Sequence, residues 1–452
     1  MEQSLAAPRP MFTKTALRQL IIPLVLEQLL AMMVGLAATV MITRVGESAV
    51  SGVSLVDTLS NLIISILTAL CTGGAVVCAQ YLGRRDSGQA RNSARQLFYI
   101  ALLFSVALGA ALLVAPSFFI RVIFGSVEEA VLKSATTYLV FSAISYPFLA
   151  VYNACAALFR SMGNSRVSLL ASLVMNVVNV AVNAVLIFAL NLGVLGAGIA
   201  TLLSRVVAAA IMLLLIRNQN NPIFLRSLWQ VRFNREIVRS ILFVGVPTGF
   251  ENGLFNFGKL LVQALVASLG TSAIAANAIL GSISNLAIVP GLGLSLAIIT
   301  VFGQCVGAGD YDQAVEYLKK LMVYTILSMA LVNIPLFLFA KPIVGIFPIS
   351  EEAYNVSVQM LPFLAISNIV LWPWSFAFPN ALRAAGDARF TMIVSASTMW
   401  IIRFGLSYLF VSFLGLGVAG IWYCMVIDWA VRDVFFLLRY RTGIWRTKRV
   451  IR

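Results

Sequence analysis

Two glutamates occupy equivalent positions in apolar segments that otherwise suit a lipid bilayer. Glu27 lies in "PLVLEQLL" and Glu251 in "PTGFENGL", each four residues after a proline. A charge at the centre of a bilayer costs about 2.5–3.5 kcal/mol, so such a residue faces a protein interior or a water-filled cavity. The proline also removes one backbone hydrogen bond from a helix. Each glutamate is therefore either a group that binds and releases a coupling proton or ion, or a structural hydrogen-bond partner of that loosened backbone.

Two aspartates extend this set of acids. Asp428 lies four residues before Arg432 on one helix face. The two residues form either a permanent ion pair that stabilises the structure or a pair that opens on protonation. Asp57, in "SLVDTLSNL", suits a wet entrance or an ion site equally well, because Ser54, Asn61 and Ser65 lie near its face of the helix. The chain contains no histidine. The candidate groups for proton or ion coupling are therefore the carboxylates Glu27, Asp57, Glu251 and Asp428.

Uncharged polar and aromatic residues mark a second candidate region. The fifth apolar span carries Asn176, Asn179 and Asn183 at helical spacing, and the corresponding span of the second half offers Trp400 and Arg403. The asparagines either hydrogen-bond between helices or line a pathway for an ion or a substrate. An aromatic lining binds flat organic cations through cation–π contacts with little stereochemical demand. These five residues are our candidates for a substrate cleft, and core packing is the alternative for the tryptophan.

The elements that must position these residues are membrane-spanning helices. The chain is 60% apolar and 11% charged, with a mean hydropathy of +0.95. A helix needs about 20 mostly apolar residues to cross a bilayer, and about twelve stretches meet this requirement. We therefore predict an all-α integral membrane protein. The predicted spans lie near 17–42, 51–81, 97–119, 131–159, 167–190, 193–216, 240–268, 273–304, 318–339, 353–382, 391–413 and 417–438.

The placement of lysine and arginine predicts the orientation. Of the 32 basic residues, 24 fall in the two terminal segments and in alternate connections. Because cytoplasmic loops carry the excess of lysine and arginine, we expect both termini in the cytoplasm. The net charge of +15 thus follows topology, and we expect no nucleic-acid partner. The first apolar run is long enough to span, so we predict no cleavable signal. The five cysteines show no metal-ligand spacing.

The second half of the chain repeats the first at a shift of 224 residues. This shift superimposes Pro23 on Pro247, Glu27 on Glu251, Gln80 on Gln304, and Gly83 on Gly307. Farther along, "RSMGNSR" (160–166) matches "RAAGDAR" (383–389) at a shift of 223. Each repeat holds six spans, an even number, so both halves enter the membrane in the same orientation. Two such bundles are related by an axis along the membrane normal, with the substrate path between them.

The repeat predicts the domain organisation. Residues 1–216 form an N-terminal six-helix lobe and residues 217–239 a cytoplasmic linker. Residues 240–452 form a C-terminal six-helix lobe that ends in a basic cytoplasmic tail. The predicted fold is therefore two pseudo-symmetric six-helix bundles.

The motifs resemble those of the bacterial members of the multidrug and toxic compound extrusion (MATE) family over roughly Leu17 to Tyr440. The resemblance lies in "PLVLEQLL", "TVMITRVGESAVSGVSLVD", "AQYLGRRD", "GQCVGAGD", "FRSMGNSR", "LRAAGDAR" and "GVPTGFENGLFNFGK". It implies twelve helices in two lobes around a central cleft, and export of organic cations or metabolites in exchange for sodium or protons. It also implies a multi-pass protein of a bacterial inner membrane.

The chain departs from the family at two positions. Ala38 and Asn183 stand where members often have an aspartate. Those aspartates resemble the core of a cation site in the N-terminal lobe. Coupling in this chain is therefore expected to use Glu27, Asp57, Glu251 or Asp428 instead.

We accordingly predict a secondary antiporter that alternates access by rocking its two lobes. We expect a monomer in contact with membrane lipid, a small cationic substrate, a coupling H⁺ or Na⁺, and neither a cofactor nor a metal site. The alternative is a flippase for a lipid-linked sugar or a lipid, which predicts more spans or a strongly cationic cleft. A membrane enzyme lacks support, because the sequence shows no histidine, no metal cluster and no nucleophile with a base.

Overall fold

The computed structural model describes residues 10–125, 127–226 and 232–451, and these residues form helices joined by short connections. The helices of the first half are α1 (Lys14–Thr43), α2 (Glu47–Gly83), α3 (Ser87–Val114), α4 (Pro116–Phe124), α5 (Glu129–Ser161), α6 (Ser165–Ala184) and α7 (Gly193–Ile216). Those of the second half are α8 (Arg235–Ala267), α9 (Thr271–Ala287), α10 (Val289–Gly307), α11 (Tyr311–Leu338), α12 (Ala340–Val344), α13 (Glu351–Val370), α14 (Pro379–Ala385), α15 (Ala388–Thr398), α16 (Ser407–Ser412) and α17 (Gly417–Arg441).

Three wide-turn π-helical segments extend these helices. Val185–Ala189 follows α6, Pro373–Ala377 joins α13 to α14, and Met399–Leu406 joins α15 to α16. Segments of this kind are frequent at functional sites. The third one contains two of the residues predicted to line a substrate cleft.

Twelve crossings result when α9 and α10 count as one broken span. Ten of the described helical segments are long and apolar enough to cross a membrane, and α8 and α17 complete the set. These two helices are less apolar because charged residues lie inside them: Glu251 and Lys259 in α8, and Asp428, Arg432 and Asp433 in α17. The prediction of about twelve helices is confirmed.

Two spans that the sequence predicted as continuous are broken in the structure. The span predicted over 97–119 ends as α3 at Val114, and Pro116 starts the short helix α4. The span predicted over 273–304 is interrupted at Ile288, because Pro290 occupies the first turn of α10. Proline favours a helix start and cannot continue the hydrogen bonds of the preceding helix. The hydropathy pattern does not register such breaks.

The two lobes meet most closely where α2 and α10 end. A Cβ atom added at Gly83 would lie 1.9 Å from the backbone oxygen of Gln304, and one added at Gly307 would lie 2.0 Å from that of Gln80. Only glycine allows this approach of two backbones. The same four residues superimpose at the 224-residue shift, so the contact itself has twofold pseudo-symmetry.

Reciprocal hydrogen bonds reinforce this contact. The Gln80 side chain donates to the backbone oxygen of Ala384 at 2.7 Å, and the Gln304 side chain donates to that of Ser161 at 2.7 Å. We call these two bonds and the two glycine contacts the closed seam. We call the end of the molecule at which they lie the closed face.

The described parts of the connection between the lobes contact α3 on both sides of residues 227–231. Arg91 donates to the backbone oxygen of Pro222, and Gln96 bonds to the backbone of Arg232 and Asn234. The predicted limits 1–216, 217–239 and 240–452 stay a prediction. Residues 1–9, 126, 227–231 and 452 lie outside the described residues.

Candidate functional site

One face of α2 is polar and exposed from near the start of the helix to just past its middle. Ser54, Asp57, Thr58, Asn61 and Thr68 are exposed there at helical spacing. A surface that faced acyl chains would be apolar, because a polar group in hydrocarbon lacks hydrogen-bond partners. We therefore expect the polar face of α2 to border an aqueous space between the lobes, and we call this space the cleft.

A second polar face lies on α8 of the other lobe. Asn252, Asn256, Lys259 and Gln263 follow one another at spacings of three and four residues, so they share one side of the helix. Asn252 donates to the backbone oxygen of Ser65 at 3.5 Å, and Asn256 donates to the Ser65 hydroxyl at 3.4 Å. The polar faces of α2 and α8 thus meet at Ser65. From Ser65 the exposed polar residues of α2 continue toward Ser54, away from the closed face.

Glu27 is buried between α1, α5 and α6. Its Oε2 accepts a hydrogen bond from the Ser168 hydroxyl at 2.8 Å. Its Oε1 accepts from Arg160 at 3.4 Å and from the Tyr152 hydroxyl at 3.4 Å. The carboxylate is thus held by one cation and two hydroxyl groups.

Glu251 is buried in the corresponding place of the second lobe. Its Oε1 accepts from Arg383 at 2.6 Å, and its Oε2 accepts from the Thr391 hydroxyl at 3.5 Å. Arg160 corresponds to Arg383 at the 223-residue shift, and Ser168 corresponds to Thr391. The repeat has therefore duplicated the acid, its arginine and a hydroxyl partner.

Asp428 is fully buried on α17. Its Oδ1 accepts from Arg432 at 2.9 Å, as the four-residue spacing predicted. Arg432 also donates to the Thr398 hydroxyl at 2.9 Å and to the backbone oxygen of Ser395 at 3.3 Å. The second oxygen of Asp428 has no hydrogen-bond partner among the described residues. Whether this pair opens on protonation stays a prediction.

Asp57 lies on the polar face of α2, exposed to the cleft. Two groups of the same lobe interact with it: the Tyr138 hydroxyl of α5 through a hydrogen bond, and Arg205 of α7 through its charge. Arg205 also donates to the Ser145 hydroxyl at 2.6 Å. Whether Asp57 belongs to a wet entrance or to an ion site stays a prediction.

The three asparagines of α6 hydrogen-bond to their surroundings. Asn183 donates to Asn179 at 3.1 Å, and Asn179 donates to Ser204 of α7 at 3.4 Å. Asn176 donates to Ser172 on its own helix at 3.4 Å. The contact with α7 is the interhelical bonding that the sequence left open as one alternative. A role of these residues in a pathway stays a prediction.

Trp400 and Arg403 lie beside α8. The ring of Trp400 is centred 5.7 Å from that of Phe257, and the guanidinium carbon of Arg403 is 5.4 Å from the ring centre of Phe255. Lys259 also approaches Phe255, with 4.8 Å between its Nζ and the ring centre. The two candidate residues of the C-terminal lobe therefore belong to a cluster of cations and aromatic rings.

The duplicated architecture has a counterpart among known protein families. The family model described as MatE matches twice, over residues 23–185 and 247–409, which together make up most of the chain. The chain belongs to the MatE family. The two matches begin at Pro23 and Pro247, the repeat-related prolines that precede the two buried glutamates.

Relatives of this MatE family member match along nearly their whole length. The chain is 27% identical to the uncharacterized transporter YisQ of Bacillus subtilis, over 99% of this chain and 98% of that protein. It is 26% identical to the probable multidrug resistance protein NorM of Thermotoga maritima, over 96% and 93%. A crystal structure of MATE in the bent conformation superimposes with a TM-score of 0.88 at 22% identity, covering 96% of each chain. The predicted family and the predicted pair of six-helix bundles are confirmed, and the chain is a MatE family transporter.

Three charged residues that form ion pairs or hydrogen bonds at the buried acids of this MatE transporter were not predicted from the sequence. Two of them are Arg160 and Arg383, the partners of the two glutamates, although both arginines lie in the repeated segments 160–166 and 383–389. When a repeat duplicates both an acidic and a basic residue, this pattern indicates that the two residues form an ion pair in each half. Asp433 was also missed; it is buried, accepts from the Ser375 hydroxyl at 2.5 Å, and lies on α17 near Arg432.

Proposed function

We propose that this MatE transporter is a secondary antiporter that exports small molecules in exchange for protons or sodium. Two lobes that are sealed at one face and separated by a polar cleft toward the other correspond to one state of an alternating-access cycle. The closed seam is the single observation that carries the proposal. In this proposal the closed face and both termini lie in the cytoplasm of a bacterial inner membrane, which the placement of lysine and arginine supports. In this state the cleft is open to the outside.

The coupling groups in this proposal are the two buried glutamates. Arg160, which binds Glu27, directly precedes Ser161, whose backbone oxygen accepts the seam bond from Gln304. In the other lobe Arg383, which binds Glu251, directly precedes Ala384, which accepts the seam bond from Gln80. In each lobe, the arginine that binds the glutamate is therefore the residue next to the one whose backbone oxygen accepts a hydrogen bond from the other lobe.

This arrangement connects charge to the closed seam. Protonation of a glutamate removes the negative charge that holds its arginine, and the backbone segment that carries the seam oxygen is then less constrained. A change of charge that biases a two-state element is the general form of such a switch. Protons taken up from the outside would favour opening toward the cytoplasm, where the substrate is loaded. Asp57 and Asp428 stay further candidates, and sodium stays the alternative coupling ion.

A second candidate function is a flippase for a lipid-linked sugar or a lipid. Lys259 and Arg403 favour it, because a cationic cleft suits the phosphate groups of such a lipid. The twelve crossings do not provide the additional spans that this function also predicts.

The experiment that tests antiport uses purified protein in proteoliposomes with ethidium and norfloxacin as probes. A sodium gradient and a pH gradient are imposed separately, and lipid vesicles without protein serve as the control. We expect one of the two gradients to drive accumulation of at least one probe. If neither gradient moves either probe, antiport of drugs is wrong, and movement of a fluorescent lipid-linked sugar between leaflets becomes the next measurement.

A further inference from the structure

A groove of about 400 Å³ lies between α1 of the N-terminal lobe and α10 and α11 of the C-terminal lobe. At its base α1 touches α10, because a Cβ atom added at Gly293 would lie 2.8 Å from the Cα of Val25. Tyr324 and Ser328 of α11 form the opposite side. We call this space the α1–α11 groove. Both lobes contribute to its walls.

One end of the α1–α11 groove lies at the closed face. The backbone nitrogen of Met11 donates to the Gln313 side chain at 2.9 Å, and that of Phe12 donates to the Tyr317 hydroxyl at 3.0 Å. These bonds hold the start of α1 against the first two turns of α11. Helix α11 begins four residues after Gly307, which belongs to the closed seam. The groove therefore starts at the closed face and follows α1 into the membrane.

Two cations border the groove at this end. Lys14 and Arg18 are exposed, and they lie one helical turn apart on the same side of α1. In the part of the chain that the structure describes, neither side chain forms an ion pair with a carboxylate. Glu316, an exposed acid of α11, is paired with Lys320. The end of the groove therefore presents two positive charges to a ligand.

The rest of the groove is apolar and has the length of one acyl chain. Along α1 it extends from Leu17 to Leu26, a rise of about 14 Å at 1.5 Å per residue. The hydrocarbon core of a bilayer is about 30 Å thick, so one leaflet contributes about 15 Å. Ile22 is 56% exposed and Leu26 44% exposed, so the rim of the groove is apolar as well. Such a rim suits contact with hydrocarbon rather than water.

A phospholipid with a negative headgroup matches both parts of the groove. Its phosphate accepts charge-assisted hydrogen bonds from lysine and from the fork of an arginine, and basic pockets between membrane helices bind such headgroups. A soluble anion would leave the apolar part uncovered. A zwitterionic lipid carries its own cation, which Lys14 and Arg18 would repel.

We infer that the α1–α11 groove binds one anionic phospholipid. The phosphate lies at Lys14 and Arg18, and one acyl chain lies along Leu17, Ile21 and Val25. The bound lipid contacts both lobes, and it therefore stabilises the closed face. This site goes beyond the proposed export function and rests on it only for the assignment of the closed face to the cytoplasmic leaflet.

The test measures which lipid the purified full-length protein retains. The protein in detergent is mixed with equal amounts of phosphatidylglycerol and phosphatidylcholine that carry the same acyl chains, and bound lipid is identified by native mass spectrometry. We expect a preference of about thirtyfold for phosphatidylglycerol, the factor that two cations near a membrane surface provide. Lys14→Met combined with Arg18→Gln should lose most of this preference. Lys319→Met combined with Arg239→Gln removes two exposed cations outside the groove and serves as the matched control.

A second variant tests the apolar part of the groove. Ser328 is half-buried, and its hydroxyl donates to the backbone oxygen of Thr325 on its own helix. Ser328→Phe places a ring in the groove without changing any charge and should remove most of the bound phosphatidylglycerol. Ser282→Phe places the same ring on an exposed position of α9, outside the groove, and should not.

Equal retention of the two lipids by the wild-type protein would overturn the inference, as would a preference that survives in the charge-removing variant. A loss of the same size in the control for the two cations would also overturn it. If the charge-removing variant does not fold, Ser328→Phe decides. Displacement of phosphatidylglycerol by inorganic phosphate would indicate a site for a soluble anion and contradict the inference.

Stabilisation of the closed face is measured in nanodiscs by the distance between two spin labels. The labels are attached to cysteines introduced at Gln89 of α3 and Asp312 of α11, which are exposed in the first turns of these helices. Phosphatidylglycerol should increase the population with the shorter distance, and the variant without Lys14 and Arg18 should not respond. Binding without this change would refute the stabilisation of the closed face. Binding of the lipid by a protein that transports no probe would refute the export function but not the site.

Discussion

Glu251 lies 2.6 Å from its arginine, whereas the repeat-related Glu27 lies 3.4 Å from Arg160. Glu27 has two additional donors, the hydroxyl groups of Ser168 at 2.8 Å and Tyr152 at 3.4 Å. Among the described residues, the remaining donor to Glu251 is the Thr391 hydroxyl at 3.5 Å. One duplicated pair has therefore come to depend on a short contact with a single cation, and the other on several weaker donors. The difference shows that the repeat has not kept the two sites identical, and we expect them to contribute unequally to the proposed coupling.

The largest effect that separates the two sites is expected from loss of the arginines. Arg383→Met leaves Glu251 as an unpaired buried acid, and breaking a buried pair in this way costs about 3–5 kcal/mol. Arg160→Met should cost less, because Ser168 and Tyr152 continue to donate to Glu27. The measurement is the unfolding midpoint of each purified variant in the same detergent. Equal destabilisation by the two variants would contradict the unequal roles.

Neutralising the acids should separate the sites in transport. Glu251→Gln should lower gradient-driven efflux in proteoliposomes by about tenfold or more, since one lost charge interaction of about 1.4 kcal/mol corresponds to a factor of ten. Glu27→Gln should lower it less, because its hydroxyl partners also bind an amide. The amount of protein inserted in the membrane is measured in parallel. If expression and efflux fall together, Glu251 has only a structural role.

The closed seam, unlike the two glutamate sites, is nearly symmetric between the two lobes. Gln80→Ala and Gln304→Ala each remove one bond of 2.7 Å between the lobes, and one such bond contributes about 0.5–1.5 kcal/mol. Both variants should therefore shift the protein toward the cytoplasm-open state by a similar factor of about 2 to 10. The shift is read from labelling of a cysteine introduced at Asn256, at the junction of the two polar faces. Strongly unequal shifts would show that the seam is not symmetric.

The smallest effect is expected from the asparagines of α6. Asn179→Ala breaks the bonds to Asn183 and Ser204, and interhelical hydrogen bonds in membranes average about 0.6 kcal/mol. The unfolding midpoint should fall only slightly, with transport of the ethidium probe unchanged. A loss of transport larger than the loss of stability would place these residues in a pathway.

The fold of this protein follows from its sequence in most respects. Twelve helices in two lobes are predicted by three features: the span lengths, the basic residues in alternate connections and the 224-residue repeat. Each of these features can be read along the chain without knowing how the helices pack. The breaks at Pro116 and Pro290 were missed, since a proline can either interrupt a span or, like Pro23, remain inside a helix.

The site was predicted less completely, for a physical reason. Asp428 and Arg432 lie four residues apart on one helix, so helical geometry alone brings them together. Glu27 and Arg160 are separated by 133 residues, and only the packing of three helices joins them. The polar face of α8 was not predicted for a related reason. The surroundings of Lys259 depend on residues of another helix, and their position cannot be read from the sequence around Lys259.

The close contact in the closed seam also excludes every residue other than glycine at two positions. At Gly83 and Gly307 the neighbouring backbone lies where a methyl group would be. Any side chain at either position would collide with that backbone and keep the two lobes apart at this end. In the proposed cycle the protein would then stay open toward the cytoplasm. It could still take up a substrate there, but it could not release the substrate on the outer side of the membrane.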